Sequence, residues 1–110
     1  MKMTTFRNFT PHQINLLDEN QQVIHTIQPE ETPIRLEQST VRVDRIGGVS
    51  ITETQFGETQ GLPEQQEGVY LIVSRLVLSA NPERSDLLVP NQLVRDDNGR
   101  ILGCQSLARN

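Results

Sequence analysis

Two histidines, one cysteine and nine arginines among ten basic residues are the groups through which this 110-residue chain could do chemistry. His12 stands out because it closes the tripeptide Thr10-Pro11-His12. Proline locks its own φ and pushes the preceding residue into an extended conformation, so the approach to His12 is rigid. A neutral imidazole offers one donor and one acceptor and titrates near neutrality, which suits it to a phosphate or to general acid-base work. The competing structural role is a half-buried ring tied to a backbone carbonyl.

Tyr70 and Ser74 lie four apart along "VYLIVS", so Ser74 should emerge at the C-terminal end of an apolar strand, where open α/β sheets place ligands. The same serine suits a helix N-cap. No Gly-x-Ser-x-Gly elbow accompanies it, which argues against a nucleophilic serine. Arg84 and Asp86 share the proline-bounded stretch "NPERSDLLVP". An arginine held there can clamp a phosphate while the carboxylate orients it or takes a ribose hydroxyl; equally, the two can pair and merely fix the loop. Two histidines without a His-x-x-x-His or cysteine motif do not make a metal centre, so neither metal nor cofactor is expected.

The elements that must position these groups are mostly strands. Gln13 to Leu17 and Gln22 to Ile27 are short apolar-rich runs around "DENQ", the pattern of a β-hairpin. Pairing across that turn sets Leu16 opposite Val23, Ile14 opposite His25 and His12 opposite Ile27, which turns both histidines towards the apolar side. "IRLEQSTVRVDRI" alternates well enough for one or two strands, and "GGVSITETQF" adds another behind a Gly-Gly turn. From Phe56 to Gly68 glycines and a proline break all periodicity, and residues 56–68 read as a mobile loop. "VYLIVS" is a continuous apolar run expected at the centre of a sheet and buried on both faces. "SRLVLSANP" suits one or two helical turns capped by Ser74 and stopped before Pro82, or an extended strand. "LVRDDNGRILGCQSL" reads as a second hairpin with Asn98-Gly99 in a type I′ turn. No internal repeat stands out. The expected fold is therefore mainly β (α+β): a small antiparallel sheet or open barrel with two hairpins, a central apolar strand and at most one short helix.

Length points to a single domain over residues 1–110. A hydrophobic fraction of 35% and a mean hydropathy of −0.45 imply a thin core or a partner subunit, hence a homo-oligomer. The net charge of −4 and pI near 5.1, with no basic stripe, argue against DNA or RNA as partner. The lone Cys104 excludes an internal disulfide and fits a reducing compartment. With no apolar leader in "MKMTTFRNFT" and no span-length apolar run, a cytoplasmic chain without membrane contact is expected.

The segments "NFTPHQINLLDE", "GLPEQQEGVYLIVSRLV", "NPERSDLLVP" and "LVRDDNGRILGCQSL" together resemble a group of small proteins encoded in phages, prophages and some bacterial genomes. Their pattern is Asn-Leu-Thr-Pro-His near the start, Leu-Pro before Tyr-Ile-Val-Ser, then Arg-x-Asp-Leu and a closing Arg-Asp-x-x-Gly-Arg hairpin. The resemblance covers nearly the whole chain and implies Asn8, Thr10, His12, Tyr70, Ser74, Arg84 and Asp86 as candidate ligand-binding positions. Phe9 departs from the usual leucine. In a phage setting, acting in host cytoplasm, compact oligomers that sequester host immune nucleotides are a known type of protein. The first expectation is thus a protein that binds a phosphorylated or nucleotide-like small molecule. A metal-independent phosphodiesterase with His12 as general acid or base is the second, and a virion or assembly protein without a pocket the third. Phe6, Phe9, Phe56 and Tyr70 are the only aromatics available for base stacking. One cavity lined by His12, Tyr70, Ser74, Arg84 and Asp86 would favour the first two readings, and scattered positions the third.

Overall fold

The structure, a computed structural model, describes residues 3–110. Eight strands and one short helix follow in the order β1 (Thr5–Asn8), β2 (Ile14–Leu17), β3 (Val23–Ile27), β4 (Arg35–Ile46), β5 (Val49–Gln60), β6 (Val69–Ile72), α1 (Arg75–Ala80), β7 (Leu87–Arg95) and β8 (Ile101–Ala108). Six strands form one sheet in the order β1-β6-β7-β8-β2-β3, while β4 and β5 pair only with each other. The sheet nearly closes on itself: Asn8 bridges Pro29, just beyond β3, and the Glu30 N–H donates to the Asn8 carbonyl at 2.7 Å. Arg7 on β1 meets Glu30 across the same seam, its Nη2 2.6 Å from Oε1, and lies over the Phe9 ring at 4.9 Å. The molecule is mainly β with one short helix, an open barrel carrying a separate ribbon. Among the described residues no helix is long and apolar enough to cross a membrane.

Alternation along the strands builds two apolar layers. Leu71 and Val73 on β6 and its extension, with Leu87 and Val89 on β7, face α1, whose Val77 and Leu78 are buried against them together with Phe9 and Ile34. The residues between point the other way, so Ile72 joins Ile14, Leu16 and Cys104 in the second cluster, with Phe6, Ile27 and Leu107 around it. "VYLIVS" is accordingly buried on both faces, because β6 pairs in parallel with both β1 and β7 and α1 makes the crossover that parallel neighbours require. Ser74 caps this helix with its hydroxyl accepting from the Val77 N–H, and the Asn81 side chain closes the other end by donating to the Val77 carbonyl at 2.8 Å. Pro82 bars continuation.

Several sequence-based expectations are corrected. The sheet is mixed, since β2 also joins β8 in parallel. The "VYLIVS" strand lies one in from the β1 edge and not at the centre. In the first hairpin Ile14 faces Ile27, Leu16 faces His25 and Leu17 faces Val23, with an irregularity between Leu16 and Leu17. This register differs from the expected one because the turn runs to Gln22 and the bulge absorbs one more residue. His25 is exposed because β3 has a neighbour on one side only, and His12 precedes β2 and is exposed as well. Phe56–Gln60, expected at the head of a loop, complete β5, and the connector to β6 begins at Gly61.

The Asn98-Gly99 turn is also not type I′, since of the two only Gly99 has positive φ. Instead Asp96 Oδ1 accepts from the N–H groups of Asn98 and Arg100, both at 2.9 Å, and Gly99 in the left-handed region adds a bulge residue. "DENQQ" at the tip of the first hairpin is built alike: Asp18 Oδ1 accepts from Asn20 and Gln22, and Gln21 takes φ of 63°. The chain therefore uses one turn twice, once with glycine at the left-handed position and once with glutamine. A side chain there costs about 1 kcal/mol. Gln21→Gly should then raise the melting temperature by about 4–8 °C in a thermal scan, and an unchanged or lower value would show that Gln21 carries a compensating contact.

Candidate functional site

A concave feature lies where β1 and β6 end. A cleft of about 380 Å³ opens between the Thr10-Pro11-His12 bend, the β6–α1 junction and the β7–β8 ribbon. Its floor is aliphatic, with Ile14, Val73, Val89 and Cys104 beneath and the half-exposed Leu93, Ile101 and Leu102 at the mouth. Gly103 belongs to this wall, and its lack of a side chain lets β8 approach β2.

Asn8, wholly buried, builds the bend. Its Nδ2 donates to the His12 carbonyl at 2.7 Å and to the Ile27 carbonyl at 3.1 Å. Its Oδ1 accepts from the Thr10 N–H at 2.9 Å and from the Thr10 hydroxyl at 2.6 Å. Both residues therefore support the loop, and the side chain this leaves available is His12, whose ring makes no hydrogen bond with any described residue. The rigid approach that proline imposes and the buried amide beneath it act together to hold the imidazole at the cleft.

Ser74 and Arg75 stand across from it. Ser74 Oγ accepts from the Val77 N–H at 3.3 Å, which leaves its own hydroxyl proton free to donate. Arg75, the first residue of α1, is exposed at the cleft and forms no ion pair or side-chain hydrogen bond with the described residues. On the remaining side Gln13 and Asn15 are committed to one another and to neighbours: Gln28 donates to Gln13, Thr26 to Asn15, and Asn15 to the Leu102 carbonyl. The unengaged polar groups of the cleft are thus an imidazole, a hydroxyl and a guanidinium. Burial pushes the Cys104 thiol up from its ordinary value, with the backbone at Asn91 opposing, so the sulfur on the floor behaves as an apolar group and not as a thiolate.

Of the seven positions singled out from sequence, Thr10, His12 and Ser74 meet at this cleft and Asn8 lies directly behind it. The other three are elsewhere. Tyr70 is half-buried against Phe6, ring centroids 6.0 Å apart. Arg84 and Asp86 sit before β7 and satisfy each other: Nε donates to Oδ1 at 2.9 Å and Nη2 to Oδ2 at 2.8 Å. The second Nη2 proton goes to the Pro63 carbonyl at 2.8 Å, which ties the 61–68 connector to the loop before β7. The hydrogen bond to Asp86, more than its charge, raises the Arg84 guanidinium above its ordinary value. Arg75 was not identified from sequence, although its position directly after Ser74 at the end of the apolar strand was a usable signal. No group of three His, Cys, Asp or Glu side chains among the described residues could hold a metal ion. Comparison with protein-family models, with curated proteins and with solved structures finds no match to this chain.

Proposed function

We propose that the chain is a small-ligand-binding protein whose cleft takes an anionic molecule with an apolar part, of the phosphorylated or nucleotide-like class. The observation that carries this reading is the convergence of three unengaged groups, His12, Ser74 and Arg75, on the rim of one aliphatic-floored cleft. An arginine with no carboxylate partner presents a planar fork matched to phosphate oxygens. The imidazole and hydroxyl supply hydrogen bonds beside it. A cleft of about 380 Å³ lies within the ordinary range for small-molecule sites. A nucleobase there would rest on Ile14, Leu93 and Ile101, since His12 is the cleft's one aromatic ring. The resemblance to phage-encoded proteins sets such binding in the context of sequestering a host signalling nucleotide.

Binding without cleavage is favoured over hydrolysis by the composition of the site. Among the described residues no carboxylate lines the cleft, none orients the His12 ring, and no hydrogen bond links it to Ser74. A general base needs an acceptor that fixes its tautomer, and a nucleophile needs that base within reach.

Titration calorimetry with a panel of cyclic and linear nucleotides tests the proposal, followed by heating to release whatever is bound. Arg75→Ala and His12→Ala should each weaken binding about ten- to a hundredfold, as loss of a charge-assisted contact does, with little change in melting temperature. Intact ligand should be recovered. If no phosphorylated compound binds, or both variants bind like wild type, the assignment of this cleft fails; recovery of cleaved product would establish the hydrolase instead.

A further inference from the structure

The β4–β5 ribbon takes no part in the cleft. Its ladder runs from Arg35 opposite Gln60 to Ile46 opposite Val49, and Gly47-Gly48, both at positive φ, close it in a two-residue turn. Twelve residues per strand make it about 40 Å long. Only its base is anchored: Leu36 packs on the helix-side core and the Asn81 side chain donates to the Thr59 hydroxyl at 2.8 Å. Every residue from 37 to 58 is exposed.

A two-stranded ribbon in water is marginally stable by itself, yet this one displays Val41, Val43, Ile46, Val49, Ile51 and Phe56 to solvent. Register puts Ile46 with Val49, Ile51 with Asp44, and Val41 with Glu53 on one face; Arg42 with Thr52 and Arg45 with Ser50 occupy the other. One face of the distal half is therefore an aliphatic stripe, and Ile46 and Val49 at its tip are each 62% exposed.

We propose that this stripe is a self-association surface, occupied by the same stripe of a second copy of the chain. The area argument is quantitative. The chain exposes 8000 Å², against about 6,200 Å² for a compact monomer of its mass. Its radius of gyration is 17.2 Å, where about 13 Å is usual for this length. The surplus of about 1,800 Å² is shared by two ribbon faces, and half of it matches the roughly 800 Å² that each partner contributes to a stable interface. Charge selects the occupant. Asp44 and Glu53 are the charges on the stripe face, and Arg42 and Arg45 lie on the other, so the stripe offers no cation to a polyanion or an anionic lipid surface, while a two-fold axis lets one stripe serve both copies.

Sedimentation at micromolar concentration tests this. Wild type should sediment as a dimer or a larger even assembly, and Ile46→Asp with Val49→Asp should reduce it to the 12.5 kDa monomer. Ser50→Asp with Thr52→Asp adds the same charge to the distal half on the opposite face and should leave the assembly intact, which separates loss of the stripe from loss of the ribbon. A wild type that stays at monomer mass overturns the proposal. So does an assembly that survives the first pair of substitutions, or one that falls apart with the second.

Discussion

Replacing Arg84 with alanine is expected to lower the stability of the fold by about 3–5 kcal/mol, the usual result of removing one partner from a buried ion pair. Asp86 is 3% exposed and both its carboxylate oxygens are held by the guanidinium. Without Arg84 a charged group remains buried without its ionic partner, and the Pro63 carbonyl loses its donor as well. The backbone of Asp86 adds to the effect because its carbonyl accepts from the Leu71 N–H at 2.9 Å, at the start of the β6–β7 pairing. Arg84→Lys keeps the charge but cannot reproduce the two-pronged contact and should fall between wild type and alanine. Urea unfolding measures the three proteins side by side. If Arg84→Ala unfolds like wild type but loses nucleotide affinity, Arg84 belongs to a ligand site after all.

Gly103→Val is the second substitution with a large expected effect. A Cβ at this position would sit 2.6 Å from the Asn15 carbonyl oxygen and 3.0 Å from Leu17 Cγ. The obstacle is backbone, so a rotamer change cannot relieve it, and β2 must move away from β8. These two strands are joined at Leu16 and Cys104 within the six-stranded sheet, one step in from the β3 edge pair, and Gly103 also walls the cleft. The expected loss is about 3 kcal/mol, the upper end for forced overpacking. Ligand affinity should fall with it, because the Leu102 and Asn15 sides of the cleft separate. Thermal unfolding and calorimetry on the same sample check both effects, and a variant as stable as wild type would mean that β2 and β8 do not approach this closely.

Much of this arrangement is legible in the sequence where one residue type determines the local answer. Ser74 before an apolar run and Pro82 after it mark the short helix. The unbroken "VYLIV" implies burial on both faces, and Gly47-Gly48 supply the ribbon's turn. Pro11 explains the rigid bend. What was not legible depends on partners distant in sequence. Nothing local tells Ile14 that its strand will lie beside β8, or that Asn8, rather than Pro11 alone, secures the His12 carbonyl. Arg84 and Arg75 are alike as letters. The fold gives one a buried carboxylate two residues away and sets the other at a cleft with no ion pair to the described residues. The repeated Asp-centred turn is hidden in the sequence because only one copy carries the expected glycine.

The position of β8 between β7 and β2 also constrains how the protein can be made. The Asn15 side chain bonds the Leu102 carbonyl across 87 residues of sequence, and β1 waits for β6. A ribosome delivering residues in order releases β1 long before β6 exists, and the β2–β3 hairpin long before β8 can cover the other edge of β2. The β4–β5 ribbon, whose pairings are all local, can form at once, whereas the barrel cannot close until the last hairpin has emerged. Slow, late closure with β1 unpaired and one edge of β2 open is therefore expected during synthesis. In that interval β1 and the open edge of β2 are where a nascent chain would be vulnerable to mispairing with its neighbours on a polysome.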